Sequence, residues 1–352
     1  MRIFVVGGTG FISGRLVDRL VELGHTVTVF TRGKTPVSSQ SARRLTITHG
    51  DRTDDESLRA AVNRQTFDVV YDMVAYDGKD SGTAVDVFRG RVGRFVHCST
   101  ISVYMVSNEV QCPITEDQDC GPLMPHWPRN PFGMDYGIGK RACEDVLWSA
   151  HDAGGFPVTM IRPTYVSGPG DPVRRDHFWI QRILDGGPLL VPGTGDFAFQ
   201  QVFIDDVVQA FVRILDHPAS IGKAYNVAAE EIYSLNDYLA QLAELLGHQP
   251  ELIHMEQAAF DRLPISSSGE GDVFPFNTRQ TAIFSLERIS RDLGYRSTPF
   301  DDWMTRTIEW YQALQRDSIG YEHRGREIEI ARKWQQHSTR SLETWGRAHD
   351  TE

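Results

Sequence analysis

The first two dozen residues pass from a buried strand through a glycine-rich turn into an amphipathic helix, with almost no chain to spare between them. Residues 3–6 are an apolar run, Gly7-Gly8-Thr9-Gly10-Phe11-Ile12 follows, and Leu16, Val17, Leu20 and Leu23 recur at helical spacing before Gly24, which is placed to end the helix. Further short apolar runs over 27–30, 45–48, 69–74, 94–98 and 158–162 predict strands, with helices around 55–62 and 80–88 and another from about 135 to 153. Strands alternating with helices require a parallel sheet covered on both faces.

The expected fold class is therefore α/β, a Rossmann-type doubly wound parallel sheet, with a smaller C-terminal substrate-binding region. The texture changes after Gly168, where Gly and Pro become frequent. The predicted organisation is a dinucleotide-binding domain over 1–165, to which 200–228 return, a substrate-binding region over 166–199 and 229–315, and a polar helical or partly disordered tail over 316–352. The stretch 266–271 reads as a mobile loop. With 352 residues, 40% of them hydrophobic, the chain can bury a sizeable core in one large domain or two coupled ones.

Charge and composition exclude several function classes. A net charge of −11 opposes a general nucleic-acid surface, which needs clustered cations. No apolar run approaches the roughly 18 residues of a membrane span. The N-terminus enters a strand at once, so no signal peptide is expected. Cys98, Cys112, Cys120 and Cys143 lack metal-ligand spacing, and the expectation is reduced thiols, no metal and a cytoplasmic protein.

Gly7, Gly8, Thr9, Gly10, Phe11 and Ile12 sit where a dinucleotide pyrophosphate meets a helix N-terminus. The usual third glycine is displaced by one, to Ser13-Gly14, a departure expected to loosen helix packing without touching the phosphate turn. An NAD enzyme usually ends its second strand in an acid that bonds the ribose hydroxyls. Here Thr31-Arg32-Gly33-Lys34 offers a hydroxyl and two cations, which favours NADP(H) and leaves NAD(H) possible, unless Arg32 and Lys34 are simply a solvated basic loop. Asp51, followed by Arg52, either bonds the adenine amino group or caps a helix. Met73, Val74 and Ala75, ending the run over 69–74, complete this cofactor set.

Tyr136 and Lys140 are four residues apart and share a helical face. A phenol ordinarily titrates near pH ~10 and is a poor base at neutrality. A nearby ammonium favours the phenolate, which can then exchange a proton with a substrate oxygen as a hydride moves. Thr100, ending the strand over 94–98, is the candidate to hold that oxygen.

The chain resembles the extended short-chain dehydrogenase/reductases, the NAD(P)-dependent epimerase/dehydratase group. The resemblance is carried by Gly7-Gly8-Thr9-Gly10-Phe11-Ile12, by Ser99-Thr100-Ile101-Ser102-Val103-Tyr104, and by Tyr136 with Lys140. Arg162-Pro163-Thr164-Tyr165-Val166-Ser167-Gly168-Pro169-Gly170 and Val202-Phe203-Ile204-Asp205-Asp206-Val207-Val208 add to it. It implies that Thr100, Tyr136 and Lys140 are the catalytic trio, that the segment containing Pro163 and Thr164 flanks the nicotinamide, and that the protein is a homodimer built through the Tyr–Lys helix and its neighbour. Family 4,6-dehydratases carry Asp-Glu directly after the Thr. Ile101 and Ser102 stand there, so elimination is not expected, and a reductase or epimerase acting on a sugar or nucleotide sugar remains.

Candidates for substrate contact are Arg175, His177 and Arg279, with a surface position for the arginines and a structural role for His177 as the other readings. His126 and Trp127 either cover the substrate or belong to a plain surface loop. The second half also resembles chloroplast stem-loop RNA-binding proteins, through Phe274-Pro275-Phe276-Asn277 and Phe284-Ser285-Leu286-Glu287-Arg288. Those relatives lose the Tyr of the catalytic pair, which this chain retains.

Overall fold

The computed structural model describes residues 1–37, 44–125, 133–263, 274–276, 279–314 and 316–349. The chain divides into two compact units. The first comprises Met1–Val166, Gln200–Glu230 and Ile283–Thr298, and the second Ser167–Phe199, Glu231–Ala282 and Pro299–Glu352. Residues 283–298, expected with the substrate region, belong to the first unit because Ile289 and Leu293 sink into its core beside Phe211 and Tyr225.

The first unit is built on a seven-stranded sheet. Strands β1 (Arg2–Val6), β2 (Thr26–Thr31), β3 (Thr46–His49), β4 (Phe67–Asp72), β5 (Val92–Cys98) and β6 (Val158–Pro163) are joined by the strand Lys223–Val227. From one edge the order is Lys223–Val227, β6, β5, β4, β1, β2, β3, and every pair is parallel. The chain winds outward from β1 through β2 to β3, then returns to β4 on the other flank of β1. The strand order therefore reverses between β1 and β4, where open α/β sheets bind ligands beyond their carboxyl ends.

Period-two alternation fills both faces of this sheet. Ile3 and Val5 face a layer containing Leu16, Val17 and Leu20 of α1 (Phe11–Glu22), with Val207 and Phe211 of the helix Ile204–Arg213. Phe4 and Val6 face the opposite layer, with Leu58 and Val62 of α2 (Asp55–Val62), Val85 and Phe88 of α3 (Gly78–Phe88) and Leu147 of α5 (Met134–Asp152). There the Phe4 ring centroid lies 5.0 Å from that of Phe67 and 5.7 Å from that of Phe88. Between β5 and α5 the chain makes one short helix, α4 (Ser102–Met105).

A buried cation pins α5 to the sheet. Arg162 of β6 has no solvent exposure. Its Nε donates to Glu144 Oε1 of α5 at 2.9 Å, and its Nη2 pairs with Glu144 and Asp119. Its Nη1 donates to the Glu116 carbonyl at 2.8 Å and to the Tyr104 hydroxyl at 2.5 Å. Removing one partner from such an arrangement leaves an uncompensated buried charge, which typically costs about 3–5 kcal/mol.

The second unit has its own small framework. Leu189–Pro192 pairs in parallel with Leu252–Met255, and Ala198–Phe199 pairs antiparallel with Tyr233–Ser234. The polar C-terminus, expected as a tail, forms the helix Arg324–His349. Its first turns carry buried, paired charges: Glu327 accepts both Arg182 Nε (2.8 Å) and Nη2 (2.6 Å), and Arg324 Nε donates to Asp185 at 2.7 Å. Paired charges gave this segment the look of a solvated face. The loop expected over 266–271, together with His126, Trp127 and Asn277, lies outside the described residues.

Candidate active site

The glycine turn leaves β1 and enters α1 at the point where the strand order reverses. Gly7 adopts φ +85°, and a Cβ there would lie 2.4 Å from Val74 Cγ1, so both the turn and its contact with the end of β4 require glycine. The amides of Phe11 and Ile12, in the first turn of α1, have no acceptor within the helix and point where an anion is attracted. Ser13 is more than a displaced glycine. Its Oγ accepts the Gly10 N–H at 2.8 Å and donates to the Gly7 carbonyl at 2.5 Å, closing the turn on itself. The departure in the motif therefore does reach the phosphate turn, contrary to expectation.

At the end of β2, Thr31 is buried and Arg32 and Lys34 are exposed. Asp51 is exposed beside them; two bonds from Thr53, its amide at 2.9 Å and its hydroxyl at 2.8 Å, followed by the charges of Arg32 and Lys34, hold its carboxyl below the usual range. Asp51 closes this local turn, and the cap of α2 is Asp54, which accepts the Glu56 amide at 3.2 Å. Arg52 turns inward instead. Its Nη2 donates to Asp72 at 2.6 Å and to the Asp80 carbonyl at 2.7 Å, so it braces the end of β4 rather than standing on the open surface with Arg32. Met73 and Ala75 are buried and Val74 half-buried against Gly7, lining the reversal point from the β4 side. Pro163 ends β6 and Thr164 follows it, and the buried Thr164 Oγ1 has no hydrogen-bond partner among the described residues. A positive-φ turn, free helix-start amides, exposed cations and an unpartnered hydroxyl together fit a dinucleotide.

Thr100, Tyr136 and Lys140 meet beyond the carboxyl end of β5. Thr100 is buried, and its Oγ1 accepts the Ser102 amide at 3.2 Å. The Thr100 side chain lies close enough to the Tyr136 phenol to ease its ionisation. Lys140 is 2% exposed, and its Nζ donates to the Cys98 carbonyl at 2.8 Å. The same ammonium lies 5.9 Å from the Tyr136 ring centroid and 5.0 Å from that of Tyr76, within cation–π range. Burial pushes the Tyr136 phenol up, the Cys98 thiol adds to this, and Thr100 opposes it. The ring is 42% exposed, so the groups that desolvate its hydroxyl crowd it from the protein side.

Two glycines let this helix in. A Cβ at Gly137 would lie 2.7 Å from the Ser102 carbonyl oxygen and 2.6 Å from Val106, and one at Gly139 would lie 2.3 Å from the Tyr76 carbonyl oxygen. Each glycine costs a helix interior about 1 kcal/mol relative to alanine. Here the pair allows Tyr136 and Lys140 to press against the loops that follow β4 and β5. Sequence reading passed over Tyr76; the signal available was an aromatic residue directly after the cofactor-lining Ala75.

Ile101 is 8% exposed and Ser102 half-buried, so no carboxylate follows Thr100. The residues proposed for substrate contact lie in the second unit, Arg175 and His177 on one helix. Arg175 pairs with Asp171 at 3.3 Å, and Arg279 grips Asp261 through both terminal nitrogens at 2.7 and 2.8 Å. His177 is the buried structural histidine: its ring stacks on Tyr311 at 4.5 Å, and burial lowers its pKa to about 4. Among the described residues no cluster of His, Cys, Asp and Glu is placed to hold a metal, and no helix is long and apolar enough to cross a membrane.

Comparison with known proteins agrees with this geometry. The family described as the NAD dependent epimerase/dehydratase family matches residues 3–228. The chloroplast stem-loop binding protein of 41 kDa b of Arabidopsis thaliana is 26% identical over 307 residues, covering 84% of this chain and 75% of the relative. Among solved structures, the UDP-glucose 4-epimerase of Thermotoga maritima with UDP-glucose superposes with a TM-score of 0.69 at 20% identity, covering 90% of this chain and all of that one. The dTDP-glucose 4,6-dehydratase of Bacillus anthracis in complex with NAD gives 0.69 at 19% identity, covering 90% and 97%. A doubly wound sheet, a glycine turn at its reversal point and a family match over most of that sheet lead to one conclusion: the chain belongs to the NAD-dependent epimerase/dehydratase family.

Proposed function

We propose that this protein is an NAD(P)-dependent oxidoreductase or epimerase that interconverts a hydroxyl and a ketone on a sugar or nucleotide-sugar-like substrate, with Tyr136 as the acid/base. The observation that carries the reading is the convergence of Thr100, Tyr136 and Lys140 at one end of the sheet that also bears the glycine turn. A bound oxidised nicotinamide would supply the hydride acceptor. Tyr136, a phenol whose ionisation burial makes harder still, is protonated at neutral pH and poised to donate to a carbonyl oxygen. In the opposite direction it must first lose that proton, which the Lys140 ammonium and the Thr100 hydroxyl both favour. Thr100 is placed to share the substrate oxygen. Ile101 and Ser102 offer no carboxylate for elimination, which supports redox chemistry over dehydration.

The protein incubated with a panel of UDP- and dTDP-sugars and either cofactor tests this directly. Tyr136→Phe is expected to lower turnover about a hundred- to ten-thousand-fold while leaving NADPH affinity within about twofold. Full activity in that variant overturns the mechanism. A tightly held NAD that co-purifies supports an epimerase, and an exchangeable NADP(H) supports a reductase. A homodimer through α5 and its neighbour α3 belongs to the same reading, with light scattering as its check.

The similarity to the chloroplast stem-loop binding protein supports a second reading, RNA binding on the same fold. It predicts a salt-sensitive complex with stem-loop RNA that survives Tyr136→Phe. A net charge of −11 and the retained trio weigh against it.

A further inference from the structure

Lys140 presents an energetic problem that the catalytic trio does not solve. Its ammonium is almost wholly buried, yet it donates to a neutral carbonyl, that of Cys98. A buried cation is expensive unless charge or polarisable surface compensates it. Two aromatic faces supply that surface, and the nearer is Tyr76, at 5.0 Å against 5.9 Å for Tyr136. The rings of Tyr76 and Tyr136 lie 6.3 Å apart, with the ammonium beside both. Tyr76 is 55% exposed while Lys140 is 2% exposed, so the Tyr76 ring stands between the ammonium and solvent.

The placement of Tyr76 is built, as three contacts show. Its amide donates to Asp80 Oδ2 at 2.9 Å, and Arg52 holds the Asp80 carbonyl at 2.7 Å. The next carbonyl, that of Asp77, accepts the Cys143 thiol of α5 at 3.0 Å. Gly139, one residue before Lys140, gives the Tyr76 carbonyl the room it occupies. An aromatic ring left on the surface for no purpose would need none of this bracing.

We propose that Tyr76 is a positioning residue of the site: its ring face holds the Lys140 ammonium against Tyr136, shields it from water and thereby sets how readily Tyr136 gives up its proton. The inference rests on the oxidoreductase reading and deepens it. The other groups facing these three are the Thr100 hydroxyl, the Cys98 and Cys143 thiols, the buried imidazole of His97, the carboxylates of Asp72 and Asp80, and the Arg32 guanidinium. Of the cations among these groups, Lys140 alone contacts the Tyr136 ring. Opening it to water screens its charge, while losing the Tyr76 ring also lifts part of the burial that raises the Tyr136 phenol, so the ring sets the balance between the two.

Two readouts test this in the intact protein, with Tyr76→Ala and Tyr76→Phe. The first is the rate at which a water-soluble N-hydroxysuccinimide ester of acetate modifies Lys140, followed by peptide mass spectrometry. Tyr76→Ala is expected to raise that rate roughly tenfold, and Tyr76→Phe, which keeps the ring face, to leave it unchanged. The second is the pH profile of kcat/KM for substrate oxidation. Its rising limb is expected to move by about one pH unit in Tyr76→Ala and to stay in place in Tyr76→Phe. Unchanged labelling in Tyr76→Ala overturns the proposal, and so does an unmoved limb or a Phe variant that behaves as the Ala variant does. If the wild-type protein oxidises no sugar, the functional reading fails, and the labelling still decides whether Tyr76 guards Lys140.

Discussion

A hydroxyl and a guanidinium, Ser13 and Arg32, set the character of the cofactor end of the site. Ser13 spends both of its hydrogen-bonding roles inside the turn, taking the Gly10 amide and giving to the Gly7 carbonyl. A phosphate bound there would thus meet the amides of Phe11 and Ile12 and α1 itself. Arg32 is exposed, and among the charges that lower the Asp51 carboxyl its own stands next to that of Lys34. A 2′-phosphate placed there meets two cations, whereas a bare ribose meets no acid from β2. Arg32→Glu is therefore expected to weaken NADPH by about 2–3 kcal/mol, some 30- to 150-fold, and NADH by no more than severalfold. Fluorescence titration of both cofactors measures this, and equal losses rule out the phosphate role. Arg52, by contrast, could not have been placed from sequence. Nothing local distinguishes an arginine facing solvent from one that braces Asp72 from within.

At the scale of the element, α5 bears Tyr136 and Lys140 and is constrained from outside along its length. The Arg162–Glu144 pair fixes its middle, while Gly137 and Gly139 seat its first turns against the segments after β5 and β4. Gly139→Ala sets two effects against each other. Alanine gains about 1 kcal/mol of helix propensity, but its Cβ would stand 2.3 Å from a backbone oxygen that Asp80 and Asp77 hold in place. Overpacking of this kind costs about 1–3 kcal/mol, so the clash wins. The variant is expected to melt at lower temperature and to lose most of its turnover, as calorimetry and the sugar assay will report. A stabilised, fully active protein refutes the close approach. Periodicity located this helix within a residue at each end because 3.6-residue patterning is local. The reason for its two glycines was not legible, since their neighbours, Ser102 and Tyr76, come from other parts of the chain. The strands of the sheet were readable for the same local reason. The substrate residues were not: a lone arginine in sequence does not say whether a carboxylate such as Asp171 or Asp261 awaits it.

At the scale of the whole molecule, the first unit is assembled from three stretches of chain, with the other unit's segments lying between them in sequence. Strands β1 to β6 are all present once Val166 has been made, but the outer partner of β6 is not. Thr159 pairs with Lys223, and the intervening residues 167–199 belong to the other unit. The crossovers from β1 through β5 stay within the first unit, so their pairings form without waiting on a detour. Hydrogen-exchange pulse labelling during refolding is expected to find the amides of β1, β4 and β5 protected before those of Lys223–Val227, and simultaneous protection contradicts this order. On a ribosome the same geometry becomes a matter of time. For as long as translation takes to run from Val166 to Val227, β6 stands as a bare parallel edge that any passing strand could pair with. The interleaved chain thus sets a window of vulnerability during synthesis whose length depends on codon speed as much as on thermodynamics.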